Sequence, residues 1–326
     1  MRAKFKQGVP AMTARKLSLF TFAILFALAG ANASFAQQLV KTPRPSQKAS
    51  VMQTIGVTDI TITYSRPGVK GRTIWGDAPA SMESRAKGEG TLDNQNERQK
   101  DEPIVPWNYV WRGGANEATM FVITDDVTIN GQPLKAGTYS MHMLPGKEEW
   151  MVIFNSDSGQ WGSFDYDPKK DVLRVKTKAE TASDSQEWLS YTFDPVTETS
   201  ARVNLRWERL RVPFTVEVQD IKGKTIARAR TTVAAAKADD WRTPYQGAAY
   251  ALNNGETELG MTWIDQSIKV KETFQNLSLK SIALYNAGKK DEAMALAEKA
   301  IAKGKADKAN TTSFEKRVAG WKGAKS

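Results

Sequence analysis

Residues 57–64, Val57-Thr58-Asp59-Ile60-Thr61-Ile62-Thr63-Tyr64, alternate apolar and polar side chains and are rich in β-branched residues. A strand with one face in a core and one in water has that period of two. The same rhythm returns at 118–124, 127–130, 137–144, 150–155, 171–178, 187–193, 201–207 and 214–218. Turn formers separate these runs: Asn130-Gly131, Leu144-Pro145-Gly146, Asp157-Ser158-Gly159 and Asp194-Pro195. Short strands at this spacing predict an all-β antiparallel sandwich or jelly roll over residues 37–219. No strand–helix–strand period appears, which argues against a dinucleotide-binding fold and calls for no cofactor. Residues 76–103 break the rhythm, with few apolar residues, and read as a flexible insertion between strands, with a lid over a site as the alternative.

After about Gln219 the pattern becomes alanine-rich and helical. Shifted by 33 residues it overlays itself: Gly255 falls on Gly288, Glu258 on Asp291, Met261 on Met294, Trp263 on Leu296, Asp265 on Glu298 and Ile268 on Ile301. A period near 34 resembles tetratricopeptide repeats. The spacing predicts helices near 241–253, 257–271, 274–287 and 290–303, within an α-helical segment 220–304 followed by a frayed basic tail, 305–326. About two repeats bury little surface alone, so these helices are expected to pack on the sandwich or on a second copy.

The chain of 326 residues carries +10, but unevenly. Residues 1–36 hold +5 with no acid and residues 299–326 hold +6, which leaves the body between them at −1. A neutral body has no basic groove, so nucleic acid is not expected as a partner. Within 1–36 the basic start, the apolar run 17–29 and the small-residue patterns Ala31-Asn32-Ala33 and Ser34-Phe35-Ala36 read as a secretory signal peptide cleaved near Gln37. The expected product is periplasmic or secreted and not an integral membrane protein. With no cysteine and one histidine, His142, thiolate chemistry and histidine-rich metal sites are excluded, and no metal is expected.

Three clusters hold the residues with chemical potential: 64–72 (Tyr-Ser-Arg-Pro-Gly-Val-Lys-Gly-Arg), 107–119 (Trp-Asn-Tyr-Val-Trp-Arg-Gly-Gly-Ala-Asn-Glu-Ala-Thr) and 136–142 (Ala-Gly-Thr-Tyr-Ser-Met-His). Together with Pro43-Arg44-Pro45-Ser46, these motifs resemble, in order, those of an exported bacterial family catalogued as domain of unknown function 2911. The resemblance covers roughly 39–218, and a C-terminal repeat accompanies the family in many members. It implies export, but no activity.

Physically, Arg66, Arg72 and Arg112 offer planar donor forks for carboxylate or phosphate, with Glu117 as an evident partner. One reading is a network that ties strand ends together. The other is an anionic-ligand or glycan site using Arg66, Arg72, Arg112, Asn116 and Glu117, with Trp111 as a stacking platform and Glu117 or His142 as acid or base. Alternation places Ser140, His142 and Leu144 on one face, and Tyr139, Met141 and Met143 on the other. Asp165 and Asp167 lack the alternating oxygen ligands of a calcium loop and read as a turn. Most tryptophans are expected in the core; two or three exposed together would favour carbohydrate stacking. The leading expectation is a ligand- or protein-binding module of the envelope, with a protein partner on the helical repeats. The alternatives are a hydrolase or other enzyme acting on envelope glycans or anionic small molecules, and a purely structural protein.

Overall fold

The computed structural model describes residues 42–79, 82, 91–93 and 101–323. The signal-peptide reading, and most of the 76–103 stretch, lie outside these residues. Among the described residues, twelve strands precede six helices.

Six strands form an antiparallel sheet in the order β1 (Gln47–Ile55), β2 (Thr58–Arg66), β5 (Thr119–Ile123), β8 (Gly137–Leu144), β9 (Trp150–Asn155), β10 (Asp171–Thr177). A four-stranded sheet has the order β11 (Glu180–Val196), β12 (Ser200–Glu217), β6 (Val127–Ile129), β7 (Gln132–Leu134). Both inner faces contribute to one core, which includes Ile60, Ile62, Phe121 and Phe154 from the larger sheet and Leu189, Val203, Leu205 and Phe214 from the smaller. Phe214 lies 6.0 Å from Phe154 and 6.3 Å from Phe121, ring centre to ring centre, so the layers interdigitate as sandwich faces do. The runs at 201–207 and 214–218 are one strand, β12, whose far end pairs with β6. Strand β1 escapes the sequence reading because its outward positions, Lys48, Ser50, Met52 and Thr54, are exposed and its inward Ala49 and Val51 are small.

A two-residue parallel pair, β3 (Trp75–Gly76) with β4 (Val105–Pro106), closes the two ends of the 76–103 stretch. That stretch is not uniformly a solvated loop: Met82, Thr91, Leu92 and Asp93 are buried. Five tryptophans meet near this closure. Trp75 lies 5.2–6.2 Å from Trp107, Trp111, Trp150 and Trp207, and Trp111 stacks on Trp207 at 5.9 Å.

The helices are α1 (Ile221–Ala234), α2 (Arg242–Asn253), α3 (Thr257–Val270), α4 (Phe274–Asn286), α5 (Lys290–Ala306) and α6 (Thr312–Gly323). Gly255 and Gly288 occupy equivalent turns with φ of +81° and +80°, the left-handed conformation that glycine adopts without strain. Helix α4 starts with a reciprocal capping box: the Asn276 N–H donates to Thr273 Oγ1, and the Thr273 N–H donates to Asn276 Oδ1. Helix α1 docks on the sandwich. Ile221 packs against the core, and Arg228 pairs with Asp125 at 2.6 Å. The expected frayed tail is instead helix α6, because Phe314 and Val318 are buried with Leu277, Ala297 and Ala300. Phe314→Ala should therefore destabilise the helical block by about 3 kcal/mol. The loss would appear as earlier melting of the helical circular dichroism signal, whereas a frayed tail would leave the melt unchanged.

Candidate functional site

The Trp-Arg-Gly-Gly-Ala-Asn-Glu motif runs along the sheet row that β5 begins at Thr119. Trp111 pairs with Met143 of β8, each N–H donating to the other's carbonyl at 2.7 Å. Alternation then separates the neighbours: Trp111 enters the core, 2% exposed, with Nε1 donating to the Gly114 carbonyl, while Arg112 emerges on the opposite face. Trp111 is therefore a core side chain and cannot be a stacking platform for a ligand. Gly113 has φ +64°, and a Cβ there would lie 2.7 Å from the Tyr191 hydroxyl, so both the conformation and the space call for glycine.

Arg112 forms an ion pair with Asp93 and donates from Nη1 to the Asn116 carbonyl at 2.7 Å. This carboxylate lies in the 76–103 stretch, outside the motif that carries Arg112 and Glu117. The Asp93 side chain is 1% exposed, and its Oδ2 accepts from both the N–H and the hydroxyl of Ser163 at 2.6 Å. Burial pulls the Arg112 guanidinium down to about 10, so it remains a cation at neutral pH. Asp93 thus ties Arg112 to Ser163.

The other arginines do not join it. Arg66 Nε donates to the Leu189 carbonyl at 2.8 Å, tying β2 to β11 across the sandwich. Arg72 folds back on its own loop and donates to the Gly68 carbonyl at 2.6 Å and to Val69 at 3.2 Å. Arg66 thus links two strands, Arg72 braces its own loop and Arg112 pairs with Asp93, so the three do not share a partner. Asn116, at φ +60°, donates from Nδ2 to the Ser46 carbonyl at 3.0 Å, so it too is a tie.

His142 and Ser140 share the outer face of β8 as alternation requires, with Nε2 and the hydroxyl 3.1 Å apart. The imidazole is fully buried and lies edge-on to Tyr166 at 5.0 Å. Burial, reinforced by the Arg112 charge and opposed by Asp157, lowers its pKa to about 3. A neutral, enclosed imidazole is poorly placed to exchange protons with a substrate at neutral pH. Asp167 caps the turn Pro168–Lys170 by accepting from the Lys169 N–H at 2.9 Å, in keeping with the turn reading. Among the described residues no group of three or more His, Cys, Asp or Glu side chains is arranged to hold a metal ion.

Glu117 has a different setting. It is half-buried and lines an open cleft of about 120 Å³ with Lys48, Thr63, Ser65, Ser158 and Gln160. The Ser65 hydroxyl is 3.5 Å from Glu117 Oε2. Across from it runs the 160–162 segment: the Ala118 N–H donates to the Gln160 carbonyl at 3.1 Å and the Gly162 N–H to the Asn116 carbonyl at 3.0 Å. These bonds flank Glu117 and Trp161, which are directly opposite in a bridge. Opposed residues of an antiparallel pair project their side chains to the same side, and closely so when the bonds flank them. Trp161 is 54% exposed and follows Gln160, which lines the cleft. The motifs quoted from the sequence contain neither Trp161 nor Gln160, Lys48 and Asp93. Alternation cannot show which tryptophan is left outside the core.

An antiparallel sandwich with a docked helical block and a buried arginine–aspartate tie beside a polar cleft defines the class of protein. Residues 46–216, just over half of the chain, match the family model described as Protein of unknown function (DUF2911), and the chain belongs to that family. No curated protein and no solved structure matches it.

Two expectations test the buried ties. Asp93→Asn leaves Arg112 buried without its counter-charge and should cost about 3–5 kcal/mol, a fall of about 6–20 °C in the thermal melt. The imidazole resonance of His142, the chain's one histidine, should not titrate between pH 5 and 8. Because the folded pKa lies below the unfolded value near 6.5, the unfolded chain binds the extra proton between about pH 6.5 and 3. Stability should then fall with acidification through that window by up to about 1.4 kcal/mol per unit, and His142→Gln should flatten the slope.

Proposed function

We propose that this protein is an exported, non-catalytic binding module of the cell envelope whose cleft at Glu117 takes a sugar residue of an envelope glycan. The observation that carries the reading is the backbone bridge that sets the exposed residue Trp161 opposite Glu117, which lines a small polar cleft. An aromatic face covers the apolar face of a sugar ring, and a carboxylate, an amide and hydroxyls meet its hydroxyl groups. Lys48 at the same cleft suits a sugar carrying an acidic substituent.

Binding is favoured over hydrolysis by the composition of the cleft. Glycoside hydrolysis ordinarily uses two carboxyl groups flanking the scissile bond, and Glu117 is the one carboxylate among the described lining residues. His142 is too enclosed to stand in for the second. The repeated helix pairs, tetratricopeptide-like in their 33-residue offset, are the part we assign to a protein partner. Export rests on the signal-like pattern of residues 1–36.

Calorimetric titration with N-acetylated amino-sugar oligomers and soluble peptidoglycan fragments tests the sugar site. Saturable binding is expected, weakened on the order of tenfold or more by Trp161→Ala and by Glu117→Gln. Flat titrations with every glycan, or a Trp161→Ala protein that binds as well as the parent, would sink the reading.

A further inference from the structure

The four strand edges of the sandwich are treated unequally. Strand β7 has three residues, and one is Pro133. Strand β10 has a register shift between Asp171 and Leu173, carries Arg174 and Lys176, and is tied to neighbouring segments through Asn130 Nδ2 donating to the Lys176 carbonyl. Strand β11 has three register shifts, carries Glu180, Asp184, Glu187 and Asp194, and is partly covered by residues 67–69: the Leu189 N–H donates to Pro67 and the Val69 N–H to Glu187. Shortness, proline, bulges, charge and coverage are the means by which proteins keep sheet edges from pairing with other chains.

Among the described residues, strand β1 is neither short nor bulged, and it carries little charge. It runs nine residues in unbroken register with β2, from Gln47 opposite Arg66 to Ile55 opposite Thr58. It contains no proline and one charge, Lys48. Among the described residues, no strand pairs with its other side. Its inward Ala49 and Val51 pack on the core but stay partly exposed, and on the outer face Met52 is 57% exposed. A long, regular, nearly neutral edge is a template for an added strand.

We propose that β1 is a strand-addition surface, and that its occupant is β1 of a second copy of this chain. The argument is self-complementarity. In an antiparallel pair centred on Val51, Ser50 meets Met52 of the second copy, Ala49 meets Gln53, Lys48 meets Thr54 and Gln47 meets Ile55. No like charges face each other, the half-exposed inner positions come together, and the inner faces of both copies stay on one side of a continuous sheet. Two-fold pairing of this kind closes after two copies, so it makes a dimer rather than a fibre. The strand contact alone is small, which places the association in the weak class.

The test is light scattering on the purified protein with two charge variants at exposed positions. The parent should pass from monomer to dimer over about 10 μM to 1 mM, in keeping with a small interface. Ser50→Lys combined with Met52→Lys sets lysines opposite each other at two places and should abolish the dimer. Ser50→Lys combined with Met52→Glu sets opposite charges there and should restore or strengthen it. All three should melt at similar temperatures. A parent that stays monomeric throughout, or a dimer that ignores the charge pattern, overturns the proposal. So does a β1 edge that binds an added extended peptide but never a second copy.

Discussion

The tryptophan cluster is the constraint from which the site follows. Trp75, Trp107, Trp111, Trp150 and Trp207 come from β3, from the segment before β5, from β9 and from β12. They join both sheets and one end of the 76–103 stretch. Each indole buries a large apolar area, and the edge-on and stacked contacts fix their relative orientation. Once Trp111 is held against Trp207, the next residue in an extended chain must face the other way. Arg112 then has to meet a counter-charge on the far side of the sheet, and Asp93 supplies it. The Arg112 tie and the Asn116–Gly162 backbone bond in turn hold the 160–162 segment beside Glu117. The rim of the cleft thus depends on a packing decision made six residues earlier.

Much of the sandwich is legible because the strands alternate cleanly, and the helix starts are legible because Gly255 and Gly288 mark their turns. Strand β1 is not, since an edge strand with small inward residues carries almost no hydrophobic signal. Helix α6 is hidden under a basic composition that suggests solubility, while Phe314 and Val318 do the packing. The site is only partly legible. Glu117 stands in a recognisable motif, but its neighbours Trp161 and Gln160 are supplied by a segment more than forty positions away. The Arg112–Asp93 tie joins a motif to a stretch whose composition reads as loop. Periodicity reports which residues share a face and says nothing of which face is covered, so it could not tell Trp111 from Trp161.

The helical block is continuous with the sandwich rather than strung from it. Gly56, at φ +60° in the turn between β1 and β2, leaves room for Ile221: a Cβ there would lie 2.7 Å from that side chain. Asp220, also at positive φ, turns the chain from β12 into α1 and caps the new helix by accepting from the Gly223 N–H. Ile221 and Arg228 then bind α1 to the sandwich at two points a turn or two apart.

The pairing of β12 with β6 sets an order of assembly. Val216 pairs with Ile129 and Glu217 with Thr128, a separation of almost ninety positions, whereas β11 and β12 pair across a short turn. A chain that emerges amino end first can form its early hairpins at once, but the second wall of its core does not exist until the last residues of β12 have appeared. Until then the inner face of the larger sheet is uncovered, with Ile60, Phe121 and Phe154 open to water or to another chain. Synthesis of the first two-thirds of the molecule is therefore the interval in which it most needs protection.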